Sequence, residues 1–194
     1  MSEIKVNKIS PRSGTDVTLG DSGDTFTLGS GANIAGLTLS DNILFDTASK
    51  GIYLGVTSAT ASNLLDDYEE GDWTPTVGGN ATYSVQRGRY YKIGNIVVAL
   101  YQIQIGVLGT GSVELISGLP FTSENDLALN IRSGYVSYFA NLAVSVGSIA
   151  SYVINNDTSF YFVSTTGDQV TCNNAPDVLG NNAHIYGTVI YNTA

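Results

Sequence analysis

Five carboxylates within seven residues form the densest group of chemically competent side chains in the sequence: Asp66, Asp67, Glu69, Glu70 and Asp72. Closely spaced acids can bridge Ca²⁺ or Mg²⁺, or act as the paired carboxylates of a glycosidase. Glycoside cleavage needs the two acids on rigid elements of a groove, roughly 5–10 Å apart. The segment instead predicts a solvated connector, whose acids cap turns and pair with Arg87 or Arg89. A cation bridge formed by the same five acids is the alternative.

The remaining acids do not form a second group with the spacing of a catalytic centre. They are separated along the chain and mostly adjoin turn residues: Glu114, Glu124, Asp126, Asp157, Asp168 and Asp177. His184 is the sole histidine and Cys172 the sole cysteine, and the sequence has no nucleophile elbow, His-Glu-x-x-His motif or phosphate loop. We expect His184 to begin the last strand and Cys172 to be a buried or unreactive thiol. The sequence therefore predicts a protein that is not an enzyme and that requires no cofactor.

Asparagine amides in the second half of the chain are the candidates for contacts with a surface receptor. Together with one tyrosine, they are Asn125, Tyr135, Asn155, Asn156, Asn173, Asn174, Asn181 and Asn182. An amide both donates and accepts hydrogen bonds to sugar hydroxyls, and a tyrosine ring can stack on a sugar. Asparagine is also a standard turn residue, so turn formation is the alternative role for these positions.

The composition is that of strands and turns. Charged residues make up only 13% of the chain, which is about half of the usual share. Gly, Thr, Val, Ile and Tyr are frequent instead. The net charge is −9 and the eight basic residues are scattered, so we expect no nucleic-acid binding. No apolar run approaches the roughly 18 residues of a membrane span, and the first residues lack the apolar region of a secretory signal. We expect synthesis in the cytoplasm without membrane insertion.

The chain divides near residues 62–66. Before this point, short apolar-Thr-apolar phrases recur at spacings of 9 and 11, at residues 17–19, 26–28 and 37–39. Strands this short cannot build a core within one chain, although stacking against neighbouring chains could bury them. Residues 15–65 therefore predict an intertwined β shaft, with a flexible leader as the alternative.

Residues 66–194 predict a denser all-β head. Strand patterns occur at residues 73–77, 81–85, 89–93, 95–105, 113–116, 133–139, 142–146, 148–154, 160–164 and 184–191. Turn signals separate them every 8–12 residues or so, as in a β-sandwich or jelly roll. Glycines at 88, 94, 106, 109, 111 and 118 predict turns or bulges. Most of the tyrosines are expected in the core or in a subunit interface.

Two stretches of the sequence resemble known viral proteins. The phrases Lys8-Ile9-Ser10-Pro11-Arg12-Ser13-Gly14, Leu19-Gly20-Asp21-Ser22-Gly23-Asp24-Thr25-Phe26 and Ser30-Gly31-Ala32-Asn33-Ile34 resemble the N-terminal segments of tail-fibre proteins of marine phages. The acidic phrase Leu65-Asp66-Asp67-Tyr68-Glu69-Glu70-Gly71-Asp72-Trp73-Thr74-Pro75-Thr76 resembles the lead-in to the C-terminal β-domains of phage tail fibres and related virion proteins. It is followed, as in that group, by Gly88-Arg89-Tyr90-Tyr91-Lys92-Ile93-Gly94 and by Ile116-Ser117-Gly118-Leu119-Pro120-Phe121.

The resemblance implies a homotrimer that is part of the virion. Residues 1–14 would attach to other tail or virion proteins, residues 15–65 would form the trimeric shaft, and the head of residues 66–194 would bind a host-surface glycan or protein. Two alternatives stay open: a capsid decoration or other virion protein without a receptor role, and a tailspike that depolymerises glycans.

Overall fold

The computed structural model describes Gly14 and residues 42–45, 47–125, 133–165, 173–174 and 177–194. The chain divides into two compact units between Leu44 and Phe45. Apart from Gly14, the predicted attachment segment and the shaft phrases up to residue 41 lie outside the described residues, as do Asp126, Asp168 and Cys172. The predicted boundaries at residues 14 and 65 therefore remain predictions.

The described residues form antiparallel β-strands and contain no α-helix. The strands are β1 (Ile52–Tyr53), β2 (Leu64–Leu65), β3 (Tyr68–Trp73), β4 (Thr82–Ile93), β5 (Ile96–Val107), β6 (Leu115–Ser117), β7 (Ser133–Ala140), β8 (Ser148–Val153), β9 (Ser159–Thr165), β10 (Asn173–Asn174) and β11 (His184–Asn192). One short 3-10 turn, Ala61–Asn63, precedes β2. The all-β prediction is confirmed. In the part of the chain that the structure describes, no helix has the length and apolar character needed to span a membrane.

Nine strands form one sheet that curls on itself. Their order is β10-β9-β8-β7-β11-β5-β4-β3, and β6 pairs with β9. Beyond the β3 edge, Thr76 makes an isolated bridge to Ser117 of β6, with N–O distances of 3.0 and 2.8 Å. Because β6 is itself bonded to β9, this bridge links the two ends of the sheet. The predicted sandwich is thus built from the two halves of a single curled sheet.

The core lies inside the curl of the sheet. It is formed by strands in which buried side chains alternate with less buried ones. In β5, every second side chain from Val97 to Ile105 is buried. Tyr101 of β5 meets the opposite half of the sheet: its ring centroid is 5.0 Å from that of Phe160 in β9, and its hydroxyl is 2.8 Å from the Ser151 hydroxyl in β8. A period of two that is sustained over many residues places these side chains on one face.

Two of the predicted strand boundaries are wrong for an identifiable reason. The patterns at 81–85 and 89–93 belong to one long strand, β4, which runs through Gly88 without a turn. A Cβ atom at Gly88 would lie 2.3 Å from Nε1 of Trp73, so the glycine makes room for the indole rather than for a turn. Gly106 likewise lies within a strand, β5.

Two further assignments of secondary structure differ from the sequence patterns. The acidic segment, predicted as a connector, forms β3, because Tyr68–Trp73 pairs in register with the C-terminal half of β4. The pattern at residues 142–146 does not form a strand. That apolar alternation is instead satisfied by Leu142 and Val146 packing against the core from a loop.

Candidate functional site

The acidic segment is stabilised by cations of the chain itself. Because β3 is paired with β4, Glu70 and Asp72 lie beside Arg89, at 3.3 and 3.4 Å from its guanidinium nitrogens. Asp67 forms an ion pair with Lys92, which is only 8% exposed. The predicted pairing with Arg89 is confirmed, whereas Arg87 takes no part in it.

The other two acids are also accounted for. Glu69 accepts a hydrogen bond of 2.5 Å from the Tyr90 hydroxyl, and this bond raises the pKa of Tyr90. Asp66 is exposed to solvent. Within the described ranges, no three His, Cys, Asp or Glu side chains are grouped closely enough to hold a metal ion. The cation bridge finds no support from the geometry of this strand.

The predicted receptor-binding asparagines do not form one site. At one end of β11, Asn125 and Asn155 are joined by an amide–amide hydrogen bond of 2.6 Å, and Asn156 follows in a turn with φ of 51°. At the other end, Asn181 and Asn182 lie in the turn that leads into the strand. The nine residues of β11 separate the two groups by roughly 30 Å, at about 3.3 Å per residue.

The turns account for two of these asparagines. The Asn181 side chain accepts a bond of 2.8 Å from the Leu108 backbone, and Asn182 adopts a left-handed φ of 62°. Asparagine is favoured in turns because its side chain can hydrogen-bond to the backbone and because it tolerates a left-handed conformation. Asn173 and Asn174 form β10, which pairs with the C-terminal end of β9. The receptor role of the asparagines stays a prediction.

Tyr135, another predicted binding residue, is paired with a residue that lines a groove. Its side chain is 71% exposed and lies on the outer face of the sheet, the face opposite the core. Its cross-strand neighbour Thr188 lines an open groove of about 720 Å³ on that face. The groove crosses β3, β4, β5, β11 and β7, and its lining includes Asp72, Arg87, Arg89, Leu100, Gln102, Ser137, Tyr186 and Thr188.

The strand register arranges the polar groups of the groove in two rows. In one row, Arg89 is opposite Leu100, and Leu100 is opposite Thr188. In the next row, Arg87 is opposite Gln102, and Gln102 is opposite Tyr186. Leu100 thus forms an apolar floor between hydrogen-bonding side chains, a combination typical of small-molecule sites.

Of the two arginines of the groove, one is paired with acids of the chain, and the other forms no such pair among the described residues. Arg89 is held by Glu70 and Asp72, and its pKa is raised by its hydrogen bond to the Tyr91 hydroxyl and by these acids. Arg87 donates through Nε to the Gln102 side chain at 2.7 Å. Among the described residues, it makes no ion pair with a carboxylate. Arg87 therefore offers a positioned cation to a ligand.

The aromatic wall of the groove is Tyr186. Its ring stacks on that of Tyr138 from β7, with centroids 4.9 Å apart and planes inclined by 26°. Its hydroxyl accepts a hydrogen bond from the Gln104 amide. The Ser137 hydroxyl donates to the Tyr186 carbonyl at 3.1 Å. These contacts fix the orientation of the ring at the edge of the groove.

The described lining of the groove contains few acidic side chains. Of the described residues that line it, Asp72 alone carries a carboxylate, and this carboxylate is paired with Arg89. Cleavage by two opposed acids has no geometric support there. Arg87, Gln102 and Tyr186 could not be recognised as a group from the sequence, because β11 follows the β4–β5 hairpin only after more than 70 residues. The alternation of Gln102 and Gln104 with buried residues was the one available signal.

Comparisons with known proteins concern the fold alone. No family model and no curated protein matches the chain. Among solved structures, the fold is similar to part of the Dettilon tailspike protein, with a TM-score of 0.52 and 16% sequence identity over 64% of this chain. The matched region spans 24% of the length of that tailspike. The two proteins share an all-β fold in this region.

Proposed function

We propose that this chain is a tail-fibre protein of a bacteriophage virion, anchored through its N-terminal segment and binding the host surface through its head. The observation that carries the proposal is the fold that 64% of the chain shares with part of a phage tailspike. The N-terminal and acidic phrases that resemble tail-fibre segments support it. The groove on the outer face gives the head a surface suited to reversible binding.

The proposal includes a homotrimer, which is supported by apolar side chains before the head. Every large hydrophobic residue described between positions 43 and 56, and Leu65 as well, is at least 37% exposed in the single chain: Ile43, Leu44, Phe45, Ile52, Tyr53, Leu54 and Val56. The two-residue strands β1 and β2 pair with each other but bury neither of their apolar faces. Sister chains would remove this surface from water, which stabilises an assembly by about 25 cal/mol per Å² of apolar area.

The oligomer is tested by the solution mass of the full chain. Light scattering should give three times the chain mass of 20.4 kDa. Replacing the paired residues Ile52 and Leu65 by Asp should lower this mass, because charges would then enter the apolar interface. Val107→Asp is the matched control, since Val107 is 53% exposed at the far end of β5. A monomeric wild-type chain would refute the trimer.

The receptor role is tested by binding of the labelled full chain to a panel of bacterial strains in flow cytometry. We expect strong labelling of some strains and none of others, because three heads multiply weak contacts. The Ile52→Asp/Leu65→Asp variant should label the same strains more weakly. If no strain is labelled and the protein is nevertheless found in purified virions, a capsid or other structural role without receptor binding replaces the proposal.

A further inference from the structure

We propose that the outer-face groove binds an acidic saccharide, with Arg87 at the sugar carboxylate and the Tyr186–Tyr138 pair beside the sugar ring. This inference rests on the proposed receptor role and names the class of its ligand. It follows from the one row of the groove in which a cation, an amide and an aromatic ring stand side by side, the ring being backed by a second tyrosine.

The row has the shape of an extended subsite. Arg87, Gln102, Tyr186 and Tyr138 are direct cross-strand partners on four neighbouring strands, β4, β5, β11 and β7. Neighbouring strands lie about 4.8 Å apart, so the row spans roughly 14 Å across the sheet. An extended ligand of a few sugar units can therefore touch the arginine at one end and the Tyr186 ring, which is backed by Tyr138, at the other. A single small anion would use only the arginine.

Arg87 supplies the preference for an acid. Its Nε is bound to the Gln102 side chain at 2.7 Å, which orients the guanidinium plane, and its terminal nitrogens form no ion pair with an acid of the described residues. A planar guanidinium matches a carboxylate with two parallel hydrogen bonds. Arg89 cannot compete for the ligand to the same degree, because Glu70 and Asp72 already lie within 3.4 Å of it.

The aromatic ring and the polar side chains of the groove supply the preference for a sugar. The Tyr186 ring is fixed by its stacking on Tyr138 and by its bond from Gln104. A fixed aromatic face suits the apolar C–H side of a pyranose, and it costs little conformational entropy on binding. The Thr188 and Ser137 hydroxyls and the Gln102 amide, all lining the same groove, provide donors and acceptors for sugar hydroxyls.

The charged residues that line the groove disfavour the binding of polyanions with closely spaced charges. Arg87 is the one arginine of the described groove lining that is not paired with an acid, and Asp72 lies in that lining as well. The chain carries a net charge of −9, so a run of phosphates would be repelled overall. One carboxylate on an otherwise neutral saccharide fits one unpaired cation.

The test uses two saccharides with a single carboxylate, a xylotriose that carries one glucuronate and 3′-sialyllactose, each with its carboxylate methyl ester as the neutral counterpart. Binding to the full chain is followed by calorimetry and by ligand-observed NMR. We expect at least one acid to bind about tenfold or more tighter than its ester, as a charge-assisted pair should. Arg87→Gln should abolish this difference between acid and ester. Tyr186→Ala should weaken acid and ester alike, because stacking does not depend on charge.

Lys50→Gln is the matched control, since it changes the net charge by the same amount at a position outside the groove. The inference is overturned if neither acid binds, if acids and esters bind equally, or if Lys50→Gln acts like Arg87→Gln. Thermal unfolding of each variant separates loss of binding from loss of fold. If labelled protein binds cells while Arg87→Gln changes neither cell binding nor sugar binding, the receptor role stands and the site lies elsewhere.

Discussion

The contact between Gly88 and Trp73 gives the sharpest test of the register between β3 and β4. Gly88 is directly opposite Trp73, and an added Cβ would lie 2.3 Å from the indole Nε1 and 2.5 Å from Cε2. Both atoms belong to a rigid ring that is 7% exposed and that donates a hydrogen bond of 2.9 Å to the Leu100 carbonyl. Gly88→Ala must therefore displace the indole.

The expected cost lies between two limits. Loss of the indole hydrogen bond alone is worth about 1 kcal/mol, and loss of a whole buried Trp side chain is worth about 3–5 kcal/mol. Since the ring is displaced but not removed, we expect Gly88→Ala to destabilise the fold by about 2–4 kcal/mol. With urea slopes of about 1–3 kcal/mol per M, the midpoint of unfolding should fall by about 1 M or more.

A double-mutant cycle separates the clash from any other effect of the alanine. In a Trp73→Ala background the clash is absent, so Gly88→Ala should cost nothing or stabilise by up to about 1 kcal/mol. Trp73 is the sole tryptophan, so its fluorescence emission reports on the displacement directly. Unchanged emission and an unchanged midpoint in Gly88→Ala would refute the pairing of β3 with β4. Equal costs in both backgrounds would refute the proposed contact.

Two further predictions concern charge and pH. Asp67→Ala should lower stability by about 1–3 kcal/mol, because it leaves the buried Lys92 ammonium without its carboxylate, and adding Lys92→Met should restore most of this loss in urea unfolding. Burial raises the pKa of the Tyr101 and Tyr191 hydroxyls above the ordinary value of 10, so the folded state keeps protons that the unfolded state releases. Stability should therefore fall as the pH rises above about 10, and two of the twelve tyrosines should ionise only on unfolding in an ultraviolet absorbance titration. A titration in which all twelve ionise together, without unfolding, would contradict this.

Local patterns in the sequence predicted the class of fold because alternation is a local property. Tyr101, Ile103 and Ile105 alternate with Gln102 and Gln104, which indicates the buried side of β5 before any partner strand is known, whereas residues 96–100 are apolar on both sides. The same logic predicted that the last strand begins at His184 and that a strand ends before Gly118, since glycine and proline follow Ser117 there.

Features that depend on partners distant in sequence could not be predicted in this way. Gly88 has the local signal of a turn, and only the indole of Trp73 on the neighbouring strand explains why a strand continues through it. The groove row is a similar case, because Arg87 and Tyr186 are 99 positions apart and are brought together by the pairing of β4, β5 and β11. Turn geometry explains the positions of Asn181 and Asn182, while the receptor role of the asparagines stays a prediction.

The central place of β11 in the sheet has a consequence for biosynthesis. This strand is the last described in the chain, yet it lies between β5 and β7 and supplies backbone partners to both. While the ribosome is still translating residues 184–192, the two halves of the sheet are nascent fragments with open inner edges, which invite pairing with other chains. Completion of the curl is therefore a late event, and a premature stop codon before His184 would yield a polypeptide prone to aggregation instead of a shortened head.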